Sequence, residues 1–142
     1  MDQITHAVRE LYEQAAEEIC VLLRYPSLMS IGRERLQALL KRGVRIRMIT
    51  ERAFFVDEQI APDYLRYADQ TGHLRWREQV PVRMVLLDKR IYLLPLEDSD
   101  SSPALLIVPN ALVSEGMHAV FQELWEASGD MDDLPNSDSD PS

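Results

Sequence analysis

The stretch that decides the fold is Val80–Leu96, VPVRMVLLDKRIYLLPL. Two short apolar runs flank a charged turn, Asp88-Lys89-Arg90, which is the pattern of a buried strand, a tight connection and a second strand. The first run carries Arg83, a fixed cation in the most hydrophobic segment of the chain. Period-2 alternation puts Arg83 on one face with Pro81 and Val85. A guanidinium there either grips a carboxylate or phosphate through its two-pronged geometry, or sits at a strand edge and pairs with an acid such as Glu78.

Upstream, apolar Ile4, Val8, Leu11, Tyr12 and Ala15 recur at helical spacing over residues 2–17. Then ICVLLRY (19–25), closed by Pro26, predicts a buried strand. Ser30 caps an expected helix through Arg42, which Gly43 ends by supplying a left-handed residue. VRIRMIT (44–50) predicts a strand with Val44, Ile46 and Met48 on one face and Arg45 and Arg47 on the other. A further helix is expected from Pro62 to Thr71, and HLRWREQ (73–79) predicts a strand. Downstream, EDSDSSP (97–103) reads as a loop and ALLIVPN (104–110) as a strand. ALVSEGMHAVFQELWEAS (111–128) reads as a closing helix, with Leu112, Met117, Val120, Phe121, Leu124 and Trp125 available for packing. From Gly129 onward GDMDDLPNSDSDPS lacks periodicity and large apolar groups, so residues 129–142 are expected to be a disordered acidic tail or linker. The order of elements predicts one α/β domain over residues 1–128, a mixed sheet flanked by helices.

The totals narrow the function. At 142 residues with 46% hydrophobic and 27% charged residues, the chain suits a single globular domain. No apolar run reaches the ~20 residues that span a bilayer, and the N-terminus lacks the pattern of a signal peptide, so no membrane partner and a cytoplasmic location are expected. Cys20 is the only cysteine, which rules out an internal disulfide and a multi-cysteine metal site; within EICVLL it reads as an inert buried thiol. The net charge of −9 is uneven: residues 97–142 hold 11 acids and no lysine or arginine. Such a chain does not present the cationic surface that nucleic acid requires.

The blocks EICVLLRYP, RERLQALLKRGVRIRMITE, HLRWREQVPVRMVLLDKRIYLLPL, ALLIVPNALV and FQELWEAS stand in an order that resembles the phospholipase D-like fold over roughly residues 5–128. The resemblance is to the version found as an effector domain in TrmB-like and some LuxR-type bacterial transcriptional regulators. Enzymes of that fold use His-x-Lys-x4-Asp, and those positions fall here on Pro81, Arg83 and Asp88. Proline offers neither nucleophile nor proton, and His6, His73 and His118 each lack a lysine two residues on. The resemblance therefore implies no enzyme and no cofactor or metal, but a ligand-sensing and dimerisation module. Its partners would be a small effector, neutral or anionic, and a second copy, with DNA reached only through a helix-turn-helix absent from this chain. The alternatives are a phosphodiesterase or nuclease with displaced catalytic groups, and a purely structural interaction domain.

Candidate ligand residues follow from position. Ligands of open α/β sheets sit beyond the carboxyl ends of strands, which singles out Arg24, Tyr25 and Arg52 beside Arg83. Arg45, Arg47, Arg75 and Arg77 would share a sheet face if their strands are neighbours, as an anion cleft or as a helix-covered face with salt bridges. Phe54, Phe55, Trp76 and Trp125 are potential stacking groups, with core packing the simpler reading of Trp125. His118, lacking a ligand at i±4, reads as a helix-surface residue.

Overall fold

The computed structural model describes residues 2–23, 33–53, 62, 66, 71, 73–81, 83–95 and 105–130. Helix α1 (Asp2–Gln14) leads into β1 (Glu18–Leu23), α2 (Arg33–Lys41) and β2 (Arg45–Glu51). Strands β3 (Leu74–Arg77), β4 (Met84–Leu87), β5 (Ile91–Pro95) and β6 (Leu105–Val108) follow, then α3 (Ala111–Ala127) and a short β7 (Gly129–Asp130). Of the helix expected over 62–71, Pro62, Arg66 and Thr71 are helical, and the other positions lie outside the described residues. The expected 97–103 loop also lies outside them.

The strands form one mixed sheet ordered β6-β5-β4-β1-β2-β3-β7. β1, β2 and β3 run parallel, whereas β4, β5 and β6 form an antiparallel meander joined to β1 through β4. The reason lies in the connections. A turn as short as Asp88–Arg90 can join only antiparallel neighbours, and the helix between β1 and β2 permits a parallel crossover. β4 is buried at all four positions because it lies in the middle of the sheet with helices over both faces.

Each face has its own core. Ile19, Val21, Ile46, Met48, Leu74, Val85 and Leu87 pack with Val8 and Tyr12 of α1 and Leu36 and Leu39 of α2. Cys20, Leu22, Ile49, Met84, Leu86 and Tyr92 pack with Phe121 and Trp125 of α3. The odd–even division along each strand is the strand period read directly from sequence.

Local signals act where the sequence puts them. Gly43 has φ +84°, its N–H bonds Leu40 O at 3.0 Å and the Val44 N–H bonds Leu39 O at 3.1 Å. That is the two-bond stop of a helix with a left-handed residue just past its end, with Val44 and Leu39 both buried. At α3, Asn110 Oδ1 accepts the Val113 N–H at 3.0 Å and satisfies one of the first-turn donors.

Three expectations are corrected. β4 begins at Met84 and not at Val80. Pro81 stands in a bend, where its missing N–H has no ladder to join, and the Val80 N–H is taken by the Glu51 carboxylate at 2.8 Å. On α3, Ser114, Phe121 and Trp125 are the buried residues, leaving Leu112 and Val120 exposed. The stripe at 114, 118, 121 and 125 faces the sheet, and positions 112 and 120 fall outside it. Finally, Gly129 and Asp130 pair with Trp76 and Arg75, so ordered structure continues two residues past the limit expected at 128.

Gly129 is fixed by its neighbour. A Cβ there would lie 2.7 Å from Trp76 Nε1 and 2.8 Å from Cε2, while the same indole N–H bonds Asp130 O at 2.9 Å. Gly129→Ala should detach β7, at about 1–3 kcal/mol for the overpacking. It should also shift Trp76 fluorescence to the red; an unchanged spectrum and unfolding midpoint would show that the contact is not tight.

Candidate functional site

Two groups of polar residues lie at opposite ends of the parallel strands. The first is the edge where β1 and β2 end and β4 begins. Met84 pairs with Leu22, so Arg83 stands level with Leu23 at the end of β1. Arg83 is 7% exposed. Arg52 follows the last residue of β2 and is exposed, with its guanidinium 3.3 Å from Glu78. β4 and β2 are two strand spacings apart, so Arg83 and Arg52 share one edge about 10 Å apart. Arg24 and Tyr25 lie outside the described residues. Glu78, the acid considered for Arg83, is engaged with Arg52. Beyond β3 an open groove of about 590 Å³ is lined by Trp76, Arg77, Glu78, Gln79, Ala127 and Gly129. Phe54 and Phe55 also lie outside the described residues.

The second group was not legible as a site. Glu18 opens β1, Arg45 and Arg47 alternate on β2, and His118 and Gln122 come down from α3. Glu18 Oε2 meets Arg45 Nε at 3.0 Å and Arg47 Nε at 3.1 Å, and Glu18 Oε1 lies 3.0 Å from His118 Nε2. Arg47 also donates to Gln122 Oε1 at 2.8 Å, approaches Cys20 Sγ at 3.7 Å and His118 Nε2 at 3.3 Å, and stacks against Phe121 and Trp125. Burial pushes the Glu18 carboxyl upward, but Arg47, the His118 hydrogen bond and Arg45 outweigh it and hold the group below its ordinary value. It is therefore the ionised carboxylate that faces His118 Nε2. Burial, aided by the nearby Glu18, pushes the Cys20 thiol up to about 12, so it is no nucleophile. His73, on the neighbouring strand's approach, is held below its ordinary value by burial and by Arg45 and Arg47.

Glu18, Cys20 and His118 offer ligand atoms within 4.8 Å of one another. The guanidinium of Arg47 contacts all three, so the positive charge a metal would bring is already there, and the thiol is protonated. The trio is tied together by Arg47, which bonds Glu18 and approaches Cys20 and His118. The four arginines expected on one face do share it, since β2 and β3 are neighbours. α3 covers two of them: Arg47 and Arg75 lie under Trp125, with the Arg75 guanidinium 4.4 Å from that ring, whereas Arg45 stays exposed. His118, expected on the helix surface, is instead 17% exposed and turned onto Glu18, because its partners stand 71 and 100 residues away along the chain, not one helical turn away.

The archaeal chromatin protein TrmBL2, described as showing a novel mode of DNA binding, superposes with a TM-score of 0.71 at 18% identity, over 87% of this chain and 48% of that one. Nuc, a phospholipase D family member from Salmonella typhimurium, gives 0.68 at 15% identity over 88% of both chains. The fold is phospholipase D-like. A phosphatidylserine synthase from Haemophilus influenzae gives 0.63 at 11% identity, over 90% of this chain and 37% of that one. The chain thus spans about half the length of TrmBL2. No protein-family model matches the sequence, and no curated protein matches it.

The phospholipase D-like structures correct one expectation. The absence of a histidine at position 81 led to the reading that the chain is not an enzyme. Structures similar over nine-tenths of its length include a phospholipase D family member and a phosphatidylserine synthase, so that reading is withdrawn. Pro81 removes a nucleophile from one position and is no ground for excluding chemistry at others. Among the described residues, no helix is long and apolar enough to cross a membrane.

Proposed function

We propose that this chain is the effector-recognising module of a TrmB-like or LuxR-type regulator, holding a small oxyanion-bearing molecule at the edge shared by β1, β2 and β4. Arg83 and Arg52 anchor the anion, with Arg24 and Tyr25 completing the site. The observation that carries this reading is the placement of Arg83: a permanently charged guanidinium, almost fully buried, at the edge where open α/β sheets receive ligands. The likeness to TrmBL2, about half of which this chain matches, supports a regulatory setting. DNA would be contacted by another domain, since the net charge of −9 suits no phosphate backbone, and the module would work as a homodimer.

A second reading, phosphodiester hydrolysis by displaced groups, has one observation in its favour. The Glu18–His118 pair is built like an oriented base, with Nε2 held by the carboxylate and Arg45 and Arg47 beside it.

Thermal shift with inorganic phosphate, sugar phosphates and organic acids tests the first reading. A ligand at a hundredfold over its Kd should raise Tm by about 5–10 °C for a domain of this size. Arg83→Ala and Arg52→Ala should abolish most of that rise. A rise that survives both changes removes these residues from the site. Turnover of bis(p-nitrophenyl) phosphate that is lost in His118→Ala would favour the second reading over the first.

A further inference from the structure

Among the described residues five large apolar side chains are exposed, and all belong to one stretch of chain: Leu106, Ile107, Leu112, Val113 and Val120. Leu112 is 80% exposed and the others at least 40%. Among the described residues β6 is the outermost strand of the sheet, hydrogen-bonded to β5 on one side and to no other described strand. Leu106 and Ile107 are consecutive and project to opposite faces, so neither face of this edge is polar. Edge strands are ordinarily guarded by lysine, by inward charges or by a bulge. Here residues 101–114 contain no charged group at all.

We propose that the β6 edge and the adjoining outer face of α3 form the contact between two copies of this chain. β6 pairs antiparallel with its counterpart about a twofold axis, giving one continuous sheet across both copies. Charge argues for this occupant. Residues 105–114, which form β6 and the first turn of α3, carry no charge in a chain of net charge −9, so this part of the surface offers nothing to a basic or acidic partner and its complement is another uncharged apolar surface. Antiparallel edge pairing also supplies that complement from the same strand, as an isologous contact requires. The chain's own tail is a poorer occupant. It departs from β7 at the far edge, six strand spacings or about 29 Å away, and brings Asp132, Asp133, Asp138 and Asp140. The inference rests on the homodimer in the reading above and gives it a surface. The anion site lies at the strand ends, so ligand shift and oligomeric mass fail separately.

Sedimentation of the whole chain from micromolar to hundreds of micromolar should give twice the 16.4 kDa protomer mass. Ile107→Lys and, separately, Leu112→Glu should each return the protomer with far-UV circular dichroism unchanged. Leu112 is so exposed that its replacement carries no folding penalty, which protects the test if the strand variant misfolds. Ile107→Cys should form an intermolecular disulfide, Cys20 being buried. A protomer at every concentration, a dimer indifferent to both charged variants, or a dimer that Ile107→Cys does not link would overturn the proposal. So would a protomer that instead binds zwitterionic lipid vesicles, which would assign the face to a membrane.

Discussion

Arg47→Ala should lower the free energy of unfolding by about 3–5 kcal/mol, the range for removing one partner of a buried ion pair. The guanidinium is 4% exposed and Glu18 14%, so water replaces little of what is lost. The change strands the carboxylate, frees Gln122 Oε1 and opens a void beneath Phe121 and Trp125. Arg47→Met keeps the packing and loses the charge, so it should cost less. The pH dependence separates the electrostatic part. Glu18 in the folded protein lies below its ordinary 4.5, so the unfolded chain binds its proton more tightly. The stabilisation is complete above about 4.5 and is lost as pH falls through the folded value. In Arg47→Ala the largest opposing charge is gone while burial still acts, so acid should erode stability less steeply. Urea midpoints between pH 3 and 7 check this; parallel slopes for the two proteins would remove Arg47 from the account of Glu18.

The second large effect belongs to Asp88. The Asp88–Lys89 turn has φ +55° and +56°, with Arg90 N–H bonding Leu87 O at 2.9 Å. Such a turn normally sets asparagine, aspartate or glycine before a glycine, and here Lys89 stands in the glycine's place. What holds it is the Asp88 carboxylate, which accepts the N–H groups of Ala16, Glu17 and Glu18 at 3.0, 2.8 and 2.9 Å. Asp88→Ala should cost about 3 kcal/mol. Hydrogen bonds to a charged group account for most of this, since water can reach part of the site, and alanine at positive φ adds about 1 kcal/mol. Asp88→Gly should recover that last kilocalorie. Equal losses for the two variants would show that the backbone conformation carries no strain, and losses under 1 kcal/mol in both would show that the carboxylate does not hold the β1 approach.

Most of the fold could be read from local chemistry. Gly43 announced the end of α2, alternation in VRIRMIT divided the two cores, and the Asp88 turn predicted the β4–β5 hairpin. What could not be read was long-range. Nothing near Glu18 in sequence indicates that Arg47, His118 and Gln122 converge on it, because the convergence is made by strand order and by which stripe of α3 faces inward. Val80–Arg83 reads as strand by hydropathy, and only the proline and the claim of Glu51 on the Val80 amide delay it to Met84. The same limit applied to Leu112 and Val120. Their hydropathy promised burial, yet a 17-residue helix has more apolar positions than its contact with one sheet can cover.

The place of β1 has a kinetic consequence. It is paired on one side with a strand that follows after a single helix and on the other with β4, whose turn it contacts across some 70 residues of chain. The β4–β5–β6 meander is assembled from near neighbours and can form early. The sheet becomes whole only when that late-synthesised unit finds β1, a search through a long loop with its attendant entropy. Until then β1 has an open flank of Ile, Cys, Val and Leu, and the nascent chain is most vulnerable to wrong partners in that interval.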